Sequence, residues 1–308
     1  MKKSVSLAAL LLALSFSPAI AADIPTKKEP VVVPVAAPPW TGGYVGINAG
    51  GVFGNNSSVN ATSWNTYLPA SNANLALAAL LSGNGTGKSG NAGFIGGGQI
   101  GYNWQAGYRG YGFVSGIEAD IQGFAGSGSN ASRWTAANTD NFGNPVTLLS
   151  NQSGSANLSY IGTVRGRVGW LAMPSLLVYG TGGLAYGGVN ARIQNTQFWT
   201  TTGGVQLGAN SVMSGTGSYS ATQVGWAAGG GLEWMFMPNW SAKAEYLYYD
   251  LGRVSGNVVN NYYGTGTFAG SNGIQNITNY TARASGNIIR AGVNYHLNFA
   301  TAPVIAKF

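Results

Sequence analysis

Apolar and polar residues alternate with a period of two along several stretches of the chain, which is the pattern of β-strands with two unlike faces. The clearest case spans residues 223–252, where Met237, Pro238 and Asn239 break the alternation and predict a turn between two strands. One face of this hairpin is apolar and aromatic, and the other carries charged residues. In a soluble protein the charged face would meet water, whereas in a membrane barrel it would point into the lumen.

The same alternation predicts eight strands, separated by connections of two kinds. The strands are 44–53, 93–104, 111–124, 157–171, 176–189, 223–236, 240–252 and 285–299. Short connections at 105–110, 172–175 and 237–239 alternate with long ones at 54–92, 125–156, 190–222 and 253–284. This pattern predicts an all-β fold, an eight-stranded antiparallel transmembrane β-barrel with short periplasmic turns and long extracellular loops. Ten strands remain open if one long connection contains a further membrane hairpin.

Composition separates the membrane from the soluble interpretation. Charged residues make up 7% of the 308 positions, against about 25% in an average soluble protein. The chain contains 49 glycines, 16 tyrosines and 9 tryptophans. After the amino-terminal region, no stretch of about 20 apolar residues predicts a transmembrane helix. Low charge without such a helix favours a membrane β-barrel.

The ends of the chain are predicted to lie outside the barrel. Residues 1–21 have the positive start, short apolar run and Ala-x-Ala site of a signal peptide. Residues 22–39 form a proline-rich periplasmic leader, residues 40–299 the barrel, and residues 300–308 a carboxyl-terminal tail. The chain has no cysteine, which excludes disulfides and thiol chemistry. Loss of Lys2 and Lys3 with the signal peptide lowers the net charge from +7 to +5, so nucleic acid is not an expected partner.

Four acids and four bases fall on the predicted lumen faces. These are Glu118, Asp120, Arg165, Arg167, Glu233, Lys243, Glu245 and Arg290. An eight-stranded barrel is only wide enough for side chains to fill, so we expect the charges to pair. The set is interpreted as a polar structural core, with a path for ions or solutes as the alternative. No nucleophile with an adjacent base is apparent, and one histidine without cysteine is a poor ligand supply; no enzyme, metal site or cofactor is predicted.

Tryptophans gather at one predicted level. Trp40, Trp104, Trp170, Trp234 and Trp240 all fall at strand ends beside the leader or the short turns. We therefore predict that these five form the periplasmic aromatic girdle of the barrel.

Five motifs, taken in order, resemble a known family. They are WTGGYVG at 40–46, RGRVGW at 165–170, YGTGGLAYG at 179–187, AEYLYYDLG at 244–252 and the last strand at 293–299. The chain is similar over 40–299 to the small alphaproteobacterial outer-membrane β-barrel proteins, the porin or opacity-like family of the OmpA-barrel group; the long loops do not match.

This resemblance implies a place in the Gram-negative cell outer membrane with both termini in the periplasm. It implies a structural protein that supports envelope integrity and interacts with the surroundings through its loops; a narrow porin-like channel for ions or small solutes is the alternative. Implied partners are outer-membrane lipid and lipopolysaccharide, the barrel assembly machinery, and a surface ligand or host factor. Tyr295, Leu297 and Phe299 resemble the terminal assembly signal, although here residues 300–308 follow it.

Overall fold

The computed structural model describes residues 40–54, 57–67, 80, 83–89, 92–107, 112–126, 128–139, 145–201, 212–263 and 275–297. The predicted signal peptide, leader and tail lie outside these residues, as does Phe299. No helix in the described ranges is long and apolar enough to cross a membrane.

Eleven strands make up the described part of the chain. They are β1 (Gly42–Gly54), β2 (Ser57–Tyr67), β3 (Gly85–Ser89), β4 (Ala92–Ala106), β5 (Phe113–Gly126), β6 (Gly128–Thr139), β7 (Pro145–Met173), β8 (Leu176–Thr201), β9 (Val212–Met237), β10 (Trp240–Tyr263) and β11 (Gln275–Leu297).

Eight of these strands close into a ring, which confirms the predicted barrel. The order is β1, β4, β5, β7, β8, β9, β10 and β11, with every pair antiparallel. Closure is the pairing of β1 with β11, in which Val45 lies opposite Tyr295 on one side and Ile100 of β4 on the other. Of the remaining described strands, β2 adds to β11, β3 pairs with β2, and β6 adds to β7; none of them is inserted into the ring, so the ring is not enlarged to ten.

Much of the length of the predicted long connections is strand. β7 has 29 residues and β8 has 26, whereas a membrane-spanning strand needs about 9–11. The ladder between them continues to the pair Val146–Thr201, far from the short turn at Met173. β6 adds to β7, and β2 adds to β11. The hairpins thus continue as sheet well beyond the eight-stranded wall.

Side chains inside the barrel lie in layers along its axis. Nearest the short turns is an apolar layer with Trp40, Leu171 and Leu177. The charged residues come next, and a second apolar layer with Leu247 and Ile288 lies above them. Outward positions carry exposed apolar residues such as Ile47 and Ile289, as alternation along each strand requires.

Candidate functional site

The structure gathers all eight predicted lumen charges in one layer of the barrel interior. Strand alternation turns each of these side chains inward, and each is at most 5% exposed. They come from β5, β7, β9, β10 and β11. The layer therefore links non-neighbouring strands through side chains alone.

Arg165 is the centre of the charged layer, because its guanidinium contacts three carboxylates. Nη2 lies 2.7 Å from Oε1 of Glu118 and 2.9 Å from Oδ2 of Asp120. Nη1 lies 3.0 Å from Oε1 of Glu245. Nε donates a further hydrogen bond of 2.8 Å to the hydroxyl of Thr163. Such a group exchanges most of its hydration for charge-assisted hydrogen bonds.

Two further cations share the same carboxylates. Nζ of Lys243 donates to both oxygens of Glu118, at 2.8 and 2.9 Å. Arg290 donates from Nη2 to Asp120 at 2.9 Å and from Nε to Glu245 at 2.7 Å. Three acids and three bases therefore form one continuous, neutral group in the middle of the lumen. Buried charges are tolerated under these conditions of pairing and hydrogen bonding.

The fourth pair lies closer to the short turns. Nη2 of Arg167 is 2.9 Å from Oε2 of Glu233. Glu233 also accepts hydrogen bonds from Ser241 at 2.6 Å and from Asn294 at 2.8 Å. His296, whose Nε2 lies 2.9 Å from the Ser241 hydroxyl, belongs to this group. This histidine is itself buried inside the lumen.

Two lumen tyrosines complete the layer. The guanidinium carbon of Arg167 lies 5.0 Å from the ring centre of Tyr44 and 5.1 Å from that of Tyr179, within cation–π range. The Tyr44 hydroxyl donates to Glu118 at 2.7 Å, and the Tyr179 hydroxyl donates to Glu245 at 3.0 Å. The sequence prediction missed both, although Tyr44 has the same strand parity as the lumen-facing Asn48.

Glycines directly opposite these tyrosines on the adjacent strands make room for their rings. A Cβ added at Gly101 would lie 2.3 Å from the Tyr44 hydroxyl oxygen, and one at Gly231 would lie 2.9 Å from that of Tyr179. A side chain at either position would displace the tyrosine. The abundant glycines of the sequence are thus used, at these two positions, to fit large side chains into a narrow lumen.

Trp40 departs from the prediction. The sequence predicts this residue in the periplasmic aromatic girdle, but it is fully buried in the lumen at the end with the short turns. Its ring nitrogen donates to the backbone oxygen of Pro174 at 2.9 Å, and its ring packs edge-on against His296 with centroids 5.8 Å apart. The contact to a distant turn holds the indole inside, where it covers the charged layer.

Comparison with known proteins identifies the family. A family model described as "Outer membrane protein beta-barrel domain" matches residues 7–296. The chain belongs to this family. It is also 35% identical over 255 residues to the "31 kDa outer-membrane immunogenic protein" of Brucella melitensis, which covers 82% of this chain and 88% of the relative. The protein of the same name from Brucella suis matches with the same figures.

Two solved structures align with most of this chain at low identity. The outer membrane protein OprG from Pseudomonas aeruginosa aligns with a TM-score of 0.37 and 10% identity, covering 83% of this chain and 97% of that one. Ail, the attachment invasion locus protein of Yersinia pestis, aligns with a TM-score of 0.24 and 11% identity, covering 81% and 99%.

As a member of this outer-membrane family, the barrel faces lipid with its outer wall. Trp104, Trp170, Trp234 and Trp240 lie on that wall beside the short turns, each between 42% and 55% exposed. Trp240 packs against Tyr295, with ring centroids 5.1 Å apart. Tyr295 and Leu297 of the predicted assembly signal face outward at the same end. Four of the five tryptophans predicted for the periplasmic girdle therefore lie on the outer wall at this level.

The second apolar layer was not predicted from the sequence. Leu247 and Tyr249 follow Glu245 on the same strand face, and Ile288 precedes Arg290 by two residues. All three are buried inside the barrel. The signal was present, since strand parity puts Leu247 and Tyr249 on the face of Lys243 and Glu245. The sequence prediction did not use this parity, because both faces of the strand are apolar there and the alternation does not show which face is the inner one.

Beyond the membrane level, uncharged polar side chains fill the interior of the extended sheets. Asn260 donates to the Thr278 hydroxyl at 3.0 Å, and that hydroxyl lies 2.7 Å from the Ser63 hydroxyl. Nearby, burial raises the pKa of Tyr280 above its usual range, so this phenol stays neutral. The extension is thus held by neutral hydrogen bonds, in contrast to the charged layer below.

The charged layer is arranged for cross-linking. It connects β5 to β7, β10 and β11 by ion pairs and to β1 by the Tyr44 hydroxyl.

Within the described ranges, no group of three or more His, Cys, Asp or Glu residues could hold a metal ion.

Proposed function

We propose that this protein is a closed structural barrel of the outer membrane that stabilises the envelope and presents an extended β-structure outside the cell for surface contacts. The observation that carries this proposal is the closed interior. All eight lumen charges are buried, with one apolar layer below them and another above. Because these charges are shielded from water, hydrated ions have no path past them.

Each layer closes the lumen in a different way. On the periplasmic side, the Trp40 indole lies across the lumen and is fixed to the backbone of Pro174. On the outer side, Leu247, Ile288 and Ile161 pack together. An ion crossing this layer would lose its hydration without gaining a polar partner, which is costly. The charges between the layers are already neutralised by one another.

The surface role rests on the length of the strands. Strands of 23 to 29 residues exceed the membrane requirement of about 9–11 more than twofold. Their outer parts display Phe198 and Val259, and the added strand β2 displays Trp64, each more than 40% exposed. A relative is named an immunogenic protein, which suits a structure displayed outside the cell.

A narrow channel is the alternative, favoured by the presence of charges of both signs along the lumen. Conductance of the refolded protein in a planar bilayer separates the two functions. We expect no stable channels from the wild-type protein, with folding verified by its electrophoretic shift on heating. Stable channels whose ion selectivity changes in Lys243→Gln, but not in the surface control Arg192→Gln, would reject the closed barrel and support the channel.

Surface display needs a separate test on intact cells. We expect protease to cleave the outer connections while the turns at Met173 and Met237 stay protected. Cleavage at those two turns from outside the cell would show the opposite orientation. Antibodies raised against the purified barrel should then bind intact cells, and removal of the β7–β8 extension should reduce that binding.

A further inference from the structure

A recess of about 340 Å³ opens on the outer wall where the pairing of β9 with β10 is interrupted. The two strands pair up to Trp226 opposite Asp250, and pairing resumes only at Ser214 opposite Asn261. Arg253 and Arg283 line this recess together with Val224 and Trp226. The recess thus combines two cations with an apolar wall.

A β-bulge places Arg253 in the recess. Between the pairs Asp250–Ser285 and Arg253–Arg283, β10 contains one residue more than β11. Gly252 takes up the extra length with a φ of +85°, a conformation that favours glycine. Leu251 before the bulge is buried in the lumen, whereas Arg253 after it is exposed outside. Without the bulge, alternation would turn Arg253 inward.

The bulge brings two like charges side by side. Arg253 and Arg283 are direct cross-strand partners, an arrangement that is unfavourable by itself. Asp250 offsets only one of them: it accepts from Nε of Arg283 at 2.9 Å and from the backbone N–H of Gly252 at 2.9 Å. Arg253 makes no ion pair or hydrogen bond with its side chain in the described part of the chain. The cluster therefore keeps one unneutralised positive charge.

This charge is unusual on such a surface. Of the five acids in the described ranges, four lie in the charged layer of the lumen and only Asp250 lies on the outer wall. Arg192, Arg253 and Arg283 are the arginines whose side chains are described on that wall. With so few surface charges, two of these three arginines in direct register are a specific feature.

The height of the recess matches the outer boundary of the hydrocarbon region. Asp250 lies ten residues above Trp240 of the periplasmic girdle, which is the length of a spanning strand. Trp226 is 50% exposed on the lipid-facing wall directly beside the cluster. The side chain of Arg283, which is 61% exposed, points into the adjacent headgroup level. A ligand here would meet lipid below and water above.

We propose that Arg253 and Arg283 bind the phosphate of an outer-leaflet lipid headgroup. Guanidinium groups bind phosphate through paired, charge-assisted hydrogen bonds, and two adjacent ones can hold the same group. The apolar residues Val224 and Trp226 would contact the first acyl segments of that lipid. This apolar wall and the position at the membrane boundary favour a lipid phosphate over free phosphate.

The test measures retention of phosphorylated lipid A by the detergent-solubilised, folded barrel, using native mass spectrometry. We expect wild-type protein to retain lipid A and to retain its dephosphorylated form at least tenfold less. The double variant Arg253→Gln/Arg283→Gln should retain at least tenfold less lipid A than wild type. Arg192→Gln, which removes an exposed arginine whose cross-strand partners are Ser155 and Ser218, should bind as wild type does.

Two additional arms keep the result interpretable. Each variant is first checked for the heat-dependent electrophoretic shift of a folded barrel, and the single variant Arg253→Lys, which keeps the charge, should bind between wild type and Arg253→Gln. Equal retention by the double variant and wild type would overturn the site. Displacement of lipid A by an equimolar amount of inorganic phosphate would show a free-phosphate site and overturn the lipid assignment.

Discussion

Replacement of Arg165 by methionine is the sharpest test of the charged layer. Methionine keeps much of the volume of the side chain and removes its charge, so the lumen stays filled while the balance changes from four acids and four bases to four and three. The guanidinium contacts Glu118, Asp120 and Glu245 at 2.7 to 3.0 Å, and all three would lose a partner at once.

The expected cost follows from burial. Removing one partner of a buried ion pair destabilises proteins by about 3–5 kcal/mol, because the remaining charge is left without compensation. Arg165 is almost completely buried, so solvent offers little relief. Lys243 and Arg290 remain beside the same carboxylates and would recover part of the loss, which places our expectation at the lower end, about 3 kcal/mol.

The assay is reversible urea unfolding of the protein refolded in phospholipid vesicles, followed by tryptophan fluorescence. Arg165→Met/Glu245→Gln restores an equal number of acids and bases, so its cost should be smaller than the sum of the two single variants by about 1–3 kcal/mol. Arg192→Met, at an exposed position, should stay within about 0.5 kcal/mol of wild type.

Two results would refute the reasoning. If Arg165→Met unfolds at the same urea concentration as Arg192→Met, the charged layer does not stabilise the barrel. If the costs of Arg165→Met and Glu245→Gln simply add, the two groups are not energetically coupled despite their 3.0 Å contact.

Two further predictions concern packing and assembly. Gly101→Ala should destabilise the folded barrel by about 1–3 kcal/mol, because the added Cβ would lie 2.3 Å from the Tyr44 hydroxyl oxygen. The control Gly98→Ala should be neutral, since the nearest atom to its Cβ would be a backbone oxygen at 3.8 Å. Both variants are compared with wild type by following the loss of the heat-shifted gel band with temperature. Deletion of residues 300–308 should leave the yield of folded protein in outer-membrane fractions unchanged, since Phe299 resembles the terminal assembly residue; loss of folded protein would show that the tail supplies the signal.

Much of the barrel follows from a single regularity of the sequence. Alternation with a period of two identifies the membrane strands and their inward charges without knowledge of any neighbour. Short connections then indicate which strands are adjacent. The eight lumen charges could be predicted for this reason, since each requires only its own strand and its own parity.

Other features depend on contacts that parity cannot reveal. Trp40 precedes the first strand, and its burial depends on a hydrogen bond to Pro174, 134 residues away. The bulge at Gly252 shifts the parity of β10 by one residue, so counting from Lys243 would place Arg253 in the lumen. In the outer extensions, Asn, Ser and Thr occupy both strand faces, and the alternation that reveals a strand is lost.

The charged layer also bears on how the barrel closes. Arg290 belongs to β11 and Tyr44 to β1, the two strands that form the closing pair. Their partners Asp120 and Glu118 lie on β5, across the lumen from β11. In an open sheet β11 and β5 would lie far apart, and the four carboxylates would lack some of the cations that pair with them in the closed barrel. Each contact across the lumen therefore forms together with closure, which couples the energy of the ion pairs to the final step of barrel formation. A neutral apolar core would favour collapse without favouring this one register. Paired charges from five strands favour the closed ring in the register that matches every acid with a base.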